Sequence, residues 1–313
     1  KIVTKFKPNC KVNMLLFINQ IQLGGISMTE KKTIYKLFNI IPISVLLMML
    51  VAGKSATKNI SLKTTSLIDK ERLIPILMYH HVGAENIETN KITITNKRFE
   101  EDIRYLKDNG YTAISFKELV DYVNNGTSLP EKPIIITFDD GLDDNYKYAY
   151  PILKKNHMKA TIFAIGSRIG IKNYNNDPRY SYFTWEEAKE MYESGVIEIQ
   201  PHSYDLHYYK ENSHHGEGVL PMALEDENFH YDRFLKDTEE VIKLIKTKVG
   251  CDSYVYAYPY GKYNSTNEKV LKDLNFKVTL TTKSEYADIS NGLYGLKRIN
   301  VPNHKKLGEL LKY

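Results

Sequence analysis

Four groups able to do metal and proton chemistry stand in two short segments. Asp139 and Asp140 lie in Thr137-Phe138-Asp139-Asp140-Gly141, and His202 and His207 in His202-Ser203-Tyr204-Asp205-Leu206-His207. Two imidazoles and a carboxylate make a three-ligand set that leaves room for water on a divalent cation. The histidines are five apart, about 140° around a helix axis. They cannot chelate one ion from a regular helix. A loop leaving a strand can turn both inward, and Pro201 supports a break in regular structure just before them. With Asp140 as the third ligand, Asp139 is left free as a base, because a metal lowers the pKa of its bound water to about 7. This chemistry suits hydrolysis of an amide or an ester. Zinc is the default ion for such a set, and iron, cobalt or nickel also suit it.

Two further segments could serve the same reaction. Met78-Tyr79-His80-His81 ends an apolar run, so His80 is a candidate to protonate a departing amine, with His81 the weaker choice. Tyr256-Ala257-Tyr258-Pro259-Tyr260-Gly261 ends another, and the Tyr260 backbone N–H is a candidate donor to an oxyanion. Taken singly, each motif has a plainer reading: an Asp-Asp-Gly turn, a structural histidine, a proline-containing turn. Their conjunction favours catalysis. The segment 208–230 carries His214, His215 and His230 with several acids, and a solvated loop explains it better than a second metal site. The 24 tyrosines reflect a chain rich in Lys, Asn and Ile, so Tyr204, Tyr208 and Tyr260 gain weight only from their motif positions. Tyr204, Pro259 and Tyr260 are the candidate substrate contacts.

The elements that must position these residues are legible in outline. The apolar run Pro133-Ile134-Ile135-Ile136 predicts a buried strand ending at the aspartates. Other strands are expected over 74–82, 161–165, 196–200, 254–258, 277–281 and 296–301. Helices are expected over 96–109, 116–124, 145–155, 185–194, 231–249, 267–274 and 305–311. Thr184 and Glu187 form a capping box for the fourth helix, and Gly195 ends it. A long irregular segment, 204–229, separates the histidines from the next helix, and loops of that length are often functional. The β–α alternation implies a parallel sheet, and its repetition favours a closed or distorted barrel over an open doubly wound sheet. Such barrels place their chemistry at strand C-terminal ends.

The net charge of +5 is concentrated at the start of the chain. Residues 1–53 hold seven of the 43 Lys and Arg and one of the 38 Asp and Glu, so the remainder carries a net −1. No basic stripe calls for nucleic acid. Lys31, Lys32 and Lys36 precede the apolar stretch 37–52, the layout of a signal peptide or short membrane anchor over 28–56. The stretch is shorter than the roughly 20 residues that span a bilayer, which favours the signal peptide. Residues 1–27 precede Met28-Thr29-Glu30-Lys31-Lys32, which resembles a natural start, and are expected to be an upstream non-native extension. Residues 57–72 read as a linker and 73–313 as the catalytic domain. Cys10 falls in the extension, so Cys251 stands alone and no intramolecular disulfide is expected. The expected location is secreted or on the outer face of a bacterial membrane, with membrane or cell-wall association through the N-terminus.

The Thr-Phe-Asp-Asp-Gly segment, the paired histidines and Tyr258-Pro259-Tyr260-Gly261 together resemble the NodB-type polysaccharide deacetylases, carbohydrate esterase family 4. The resemblance covers roughly 73–301. It implies an α/β fold, a distorted (β/α) barrel of the polysaccharide deacetylase type with fewer than eight complete units. It also implies one divalent metal, with Asp139 as base and Asp140, His202 and His207 as ligands. His202-Ser203-Tyr204-Asp205-Leu206-His207, the early Met78-Tyr79-His80-His81 and Leu296-Lys297-Arg298-Ile299-Asn300-Val301 are most similar to the poly-N-acetylglucosamine deacetylase branch, in which the acid falls on His80. Many members carry an Arg where this chain has Ala257, so the orientation of Asp139 is assigned to Arg298. The late Leu-x-His and Asp-Trp segments of many members are missing, which argues for the matrix-polysaccharide branch. The expected substrate is an acetylated polysaccharide; peptidoglycan, chitin oligomers and O-acetyl esters are the alternatives. A noncatalytic polysaccharide-binding module is the alternative from a different class.

Overall fold

Apolar runs that would be costly to expose become a sheet covered by helices. The computed structural model describes residues 73–209 and 217–312. The described residues all belong to one of the two compact units of the chain, Ile68–Tyr313. The expected signal, linker and extension over 1–72, together with His214 and His215, lie outside the described residues.

Strands β1 (Leu73–Ile74) and β2 (Ile76–Tyr79) are separated by Pro75, and β3 (His81–Gly83) follows a break at His80. After β4 (Thr93–Thr95) come helix α1 (Asn96–Asp108), β5 (Thr112–Ala113), α2 (Phe116–Asn125) and β6 (Pro133–Phe138). A π-helical turn, Asn145–Ala149, runs into α3 (Tyr150–Asn156), followed by β7 (Ala160–Ile165), α4 (Trp185–Glu193) and β8 (Ile197–Ser203). The chain closes with α5 (Glu227–Lys248), β9 (Val255–Ala257), α6 (Ser265–Asp273), β10 (Val278–Leu280), β11 (Ala287–Asp288), β12 (Ile299–Asn300) and α7 (Leu307–Leu310).

The main sheet runs β12-β2-β6-β7-β8, all parallel, with β5 added against the start of β6. Strands β9 and β10 pair in parallel, and a parallel bridge from Leu280 to Leu296 ties β10 to the run that enters β12. Between β8 and β9 the described residues form no backbone ladder. The buried Gln200 side chain spans that seam instead: its Nε2 donates to the Asp252 carbonyl at 2.9 Å, and its Oε1 accepts the Tyr254 and Val255 N–H groups. The sheet therefore curves round as a distorted barrel of fewer than eight complete units.

Local signals account for most helix starts. Thr184 and Glu187 form the expected capping box, Ser115 and Glu118 form another, and Gly126 ends α2 at φ 67. Four expectations need correction. The strand over 74–82 is interrupted twice, because Pro75 lacks an N–H for a ladder and His80 turns out of the strand. The helix over 145–155 opens with a π turn. Strand β8 does not stop before the histidines but passes through Pro201 and contains His202. Proline is tolerated there because β8 lacks a ladder towards β9 and the β7 pairing shifts register at Ala164 and Ile165. Helix α5 starts at Glu227, one turn earlier than expected, because Asp226 caps the Phe229 N–H. His230 thus leaves the solvated-loop reading: it is buried, with Nε2 2.8 Å from the Val219 carbonyl.

Candidate active site

The sharp turn after β6 places the two aspartates. Asp140 has φ 77 and Gly141 φ 82. A short polar side chain tolerates that left-handed conformation better than most. At Gly141 a Cβ would come within 3.0 Å of Ile169 Cδ1 and 3.4 Å of Ala164 Cα, so a glycine is needed for close approach as well as for φ.

Asp139 is 1% exposed, and the wholly buried Arg298 grips it with two parallel bonds, Nη1 to Oδ1 at 2.6 Å and Nη2 to Oδ2 at 2.7 Å. Arg298 is held in turn by the Thr281 carbonyl on Nε at 2.9 Å and by Thr137 Oγ1 on Nη1 at 3.2 Å. Such a two-pronged pair fixes a carboxylate in angle as well as position. Burial alone would raise the Asp139 pKa, but Arg298, with a smaller contribution from His202, holds it below the usual carboxylate range. The partly exposed His80 has Nε2 3.9 Å from Asp139 Oδ2. Its carbonyl accepts a bond from Asn145 Nδ2 at 2.7 Å, so the π turn anchors the break between β2 and β3. Burial lowers the His80 pKa, opposed by Asp139 and Asp140. His81 is engaged elsewhere, with Nδ1 2.8 Å from Asp144 Oδ2.

Asp140, His202 and His207 converge on one point. One donor atom from each lies within 4.8 Å of the others. Asp140 Oδ1 stands 3.2 Å from His207 Nε2 and 3.6 Å from His202 Nε2, yet this buried oxygen has no aligned hydrogen bond among the described residues. His202 Nδ1 lies 2.7 Å from the Ala257 carbonyl, which can only accept, so that nitrogen carries the proton and Nε2 keeps its lone pair. His207 Nδ1 lies 2.9 Å from Tyr260 Oη, and that hydroxyl is 3.3 Å from the His207 carbonyl. With the hydroxyl proton on the carbonyl, Nδ1–H donates to Oη and Nε2 again faces Asp140. Burial lowers the His202 pKa to about 4, which keeps the ring neutral. Burial works against the charge of Asp140, but His207, and beyond it His80 and His202, hold its pKa below the usual carboxylate range. Two imidazoles and an ionised carboxylate aimed at one point, the outer ring nitrogens committed to other acceptors, form a donor set that fits a divalent cation.

The structure brings together Asp139, Asp140, His80, His202, His207 and Arg298, and Tyr260 joins them through its side chain. The Tyr260 ring packs on His207 and on Tyr209, each at 4.5 Å between centroids, with its backbone at φ 57. Pro259 is buried beside it. Tyr204 is directed elsewhere: its ring lies over Gly166 against the hydrophobic core, beside Val241 of α5. Three contributors escaped the sequence reading. The Ala257 carbonyl orients His202, Arg168 Nη2 donates to the His207 carbonyl at 2.9 Å, and Asp237 accepts the Tyr204 and Asp205 N–H groups. The Ala257 contact is main chain and the other two are long range, so no local pattern announces them.

Comparison with known proteins agrees with this geometry. The family described as Polysaccharide deacetylase matches residues 126–279. YxkH of Bacillus subtilis (strain 168), a polysaccharide deacetylase by name, is 33% identical over 233 residues, covering 74% of this chain and 73% of that protein. A poly-beta-1,6-N-acetyl-D-glucosamine N-deacetylase of Staphylococcus aureus (strain NCTC 8325 / PS 47) is 28% identical over 242 residues, 74% of this chain and 79% of that one. The solved structure of IcaB from Ammonifex degensii superposes with a TM-score of 0.63 at 26% identity, covering 74% of this chain and 93% of that chain. The fold, the family match and these relatives agree, and the chain belongs to the NodB-type polysaccharide deacetylases, hydrolases that act on amide bonds.

Proposed function

We propose that this protein removes N-acetyl groups from an extracellular N-acetylglucosamine polymer of the poly-β-1,6 type, releasing acetate and leaving free amines. The observation that carries the reading is the Asp140, His202 and His207 donor set beside an Asp139 that Arg298 keeps ionised. The choice of glycan draws on the Staphylococcus aureus and Ammonifex degensii relatives. The extracellular setting draws on the basic and apolar layout of residues 28–56, and the catalytic domain is taken as 73–313.

Asp140, His202 and His207 would hold a divalent cation, with zinc the first choice. Such a cation, when bound, supplies Lewis-acid polarisation and acidifies water. Asp139 accepts the proton as water attacks the acetamide carbonyl. The Arg298 fork leaves a lone pair on each Asp139 oxygen, so grip and basicity coexist. The Tyr260 N–H donates to the oxyanion. His80 Nε2, 3.9 Å from Asp139 Oδ2, completes the proton circuit: the proton lost by water reaches the departing amine through this pair. The tetrahedral adduct then collapses to acetate and a free amine.

The deciding experiment is acetate release from partly deacetylated poly-β-1,6-N-acetylglucosamine, chitin oligomers, peptidoglycan and a small O-acetyl ester, with and without chelator. The expected result is chelator-sensitive release that is fastest on the β-1,6 polymer. Faster release from peptidoglycan or chitin oligomers would reassign the substrate, and release from the ester alone would make the protein an O-acetyl esterase. No release by the metal-loaded protein from any of them would favour a binding role.

A further inference from the structure

Two histidines five apart reach one point only if the chain between them is held in a defined turn, and that turn is gripped from outside. From helix α5, Asp237 accepts the Tyr204 N–H on Oδ1 at 2.9 Å and the Asp205 N–H on Oδ2 at 2.8 Å. From the segment after β7, the Ser167 N–H donates to the Tyr204 carbonyl and Ser167 Oγ donates to Asp205 Oδ1, both at 2.8 Å. Arg168 secures the His207 carbonyl at 2.9 Å.

Asp237 stands out because its position does not suit a carboxylate. It shares a helix face with Phe234 and Val241, both fully buried, where an apolar residue would dock the helix at no electrostatic cost. Burial pushes its carboxyl up to about 6, in spite of the two backbone donors that favour the charge. The cation on its own helix that acts on it, Arg233, is committed to Glu225 at 2.6 and 2.8 Å and to the Leu220 carbonyl. A partly buried carboxylate whose bonds go to two consecutive N–H groups fixes the path of the main chain between His202 and His207.

We propose that Asp237 is a positioning residue for the cation site: by clamping the Tyr204 and Asp205 N–H groups it sets the separation and aim of His202 and His207, and so couples helix α5 to the donor set. This rests on the reading of Asp140, His202 and His207 as cation ligands.

Asp237→Asn keeps the shape but turns an NH2 towards one of the two N–H groups, so only one bond survives. The expected result is a Zn2+ dissociation constant, measured by competition with a chromophoric chelator, raised by about 10- to 100-fold. The metal-free melting temperature should stay close to that of the wild type. Hydrogen exchange should quicken over 203–208 while the rest of α5 keeps its protection, and excess Zn2+ should restore most of the turnover. Asp237→Ala, which removes both acceptors, should show the same signature and serves if the Asn variant folds poorly. Unchanged Zn2+ affinity, or loss of protection along all of α5 with affinity intact, would overturn the proposal. A wild type that binds no Zn2+ would instead sink the cation-site reading. Exchange over 203–208 in metal-free Asp237→Asn would then still decide whether Asp237 holds the turn.

Discussion

Asp139 has both carboxylate oxygens engaged by Arg298 and is 1% exposed, whereas its neighbour Asp140 has an oxygen with no aligned hydrogen bond among the described residues, facing two imidazoles at 3.2 and 3.6 Å. One peptide unit separates them, yet one side of the site is saturated with protein bonds and the other is left open. Both carboxylates are held below the usual range, for different reasons: a fixed guanidinium for Asp139, and histidines on either side for Asp140. The backbone makes the division. Asp139 directly follows β6 and its N–H still bonds to the Tyr79 carbonyl, while Asp140 enters the left-handed region and its carboxylate faces the two histidines. The contrast teaches that residue type alone does not assign base or ligand; what faces each oxygen does.

Removing a group from the open side should have the largest effect. His202→Ala is expected to lose both bound metal and acetate release, because two donors remain where three converged and the buried Ala257 carbonyl loses its partner. Metal analysis of the purified variant beside an activity assay checks this. Retained stoichiometric metal would break the division between the two sides.

On the saturated side, Asp139→Asn should keep its metal and lose about 10²–10⁴ in kcat, the usual range for a missing general base. The amide cannot take a proton and cannot satisfy both Arg298 prongs. Metal content equal to the wild type with turnover lost is the expected pair of readings; loss of metal would show that Asp139 belongs to the donor set.

A smaller, more informative effect is expected at Arg298→Gln. Burial of Asp139 persists while the opposing charge is gone, so the carboxyl pKa rises. The acid limb of kcat/KM should move up by about 1 to 3 pH units. The sign for stability follows: a depressed carboxyl pKa in the fold contributes stability that is complete above the unfolded value and lost as pH falls through the folded one. The variant should therefore lose part of its neutral-pH stability, about 3–5 kcal/mol for breaking a buried pair, and show less further loss on acidification. Melting temperatures at several pH values together with the pH-rate profile test this. An acid limb that stays in place would remove Arg298 from the control of Asp139.

The residues proposed for the chemistry are legible because they are side chains clustered at the ends of apolar runs, and the alternation of those runs is enough to expect a barrel. The residues that aim them are less so. Arg298 is indicated only by Ala257 standing where related chains place an arginine, and it precedes β12 instead of ending a strand. Gln200 sits in an apolar run, and nothing local says that it replaces a ladder across the β8 and β9 seam. Pro201 argued for a strand end, yet the open seam and the shifted pairing with β7 let β8 continue through it. The start of α5 is hidden because Glu225-Asp226-Glu227-Asn228 is polar on every face, so periodicity begins only at Phe229 and His230 while the cap lies earlier.

The smallest expected effect separates the two histidines. His202 is nearly fully buried and its outer nitrogen is bonded to a main-chain carbonyl that no substitution removes, whereas His207 is partly exposed and leans on the Tyr260 hydroxyl. In Tyr260→Phe the ring still packs on His207, water can reach Nδ1 in place of the hydroxyl, and the His207 carbonyl keeps Arg168, so of the two bonds lost only the one to Nδ1 bears on the ligand, about 0.5–1.5 kcal/mol. Metal affinity should fall by no more than about tenfold, with kcat at saturating metal close to wild type. The proposed oxyanion donor is the Tyr260 backbone N–H, which this substitution leaves in place. A collapse of kcat at saturating metal would therefore show that the hydroxyl itself reaches the reacting atoms, and would shift Tyr260 from orienting a ligand to acting on the substrate.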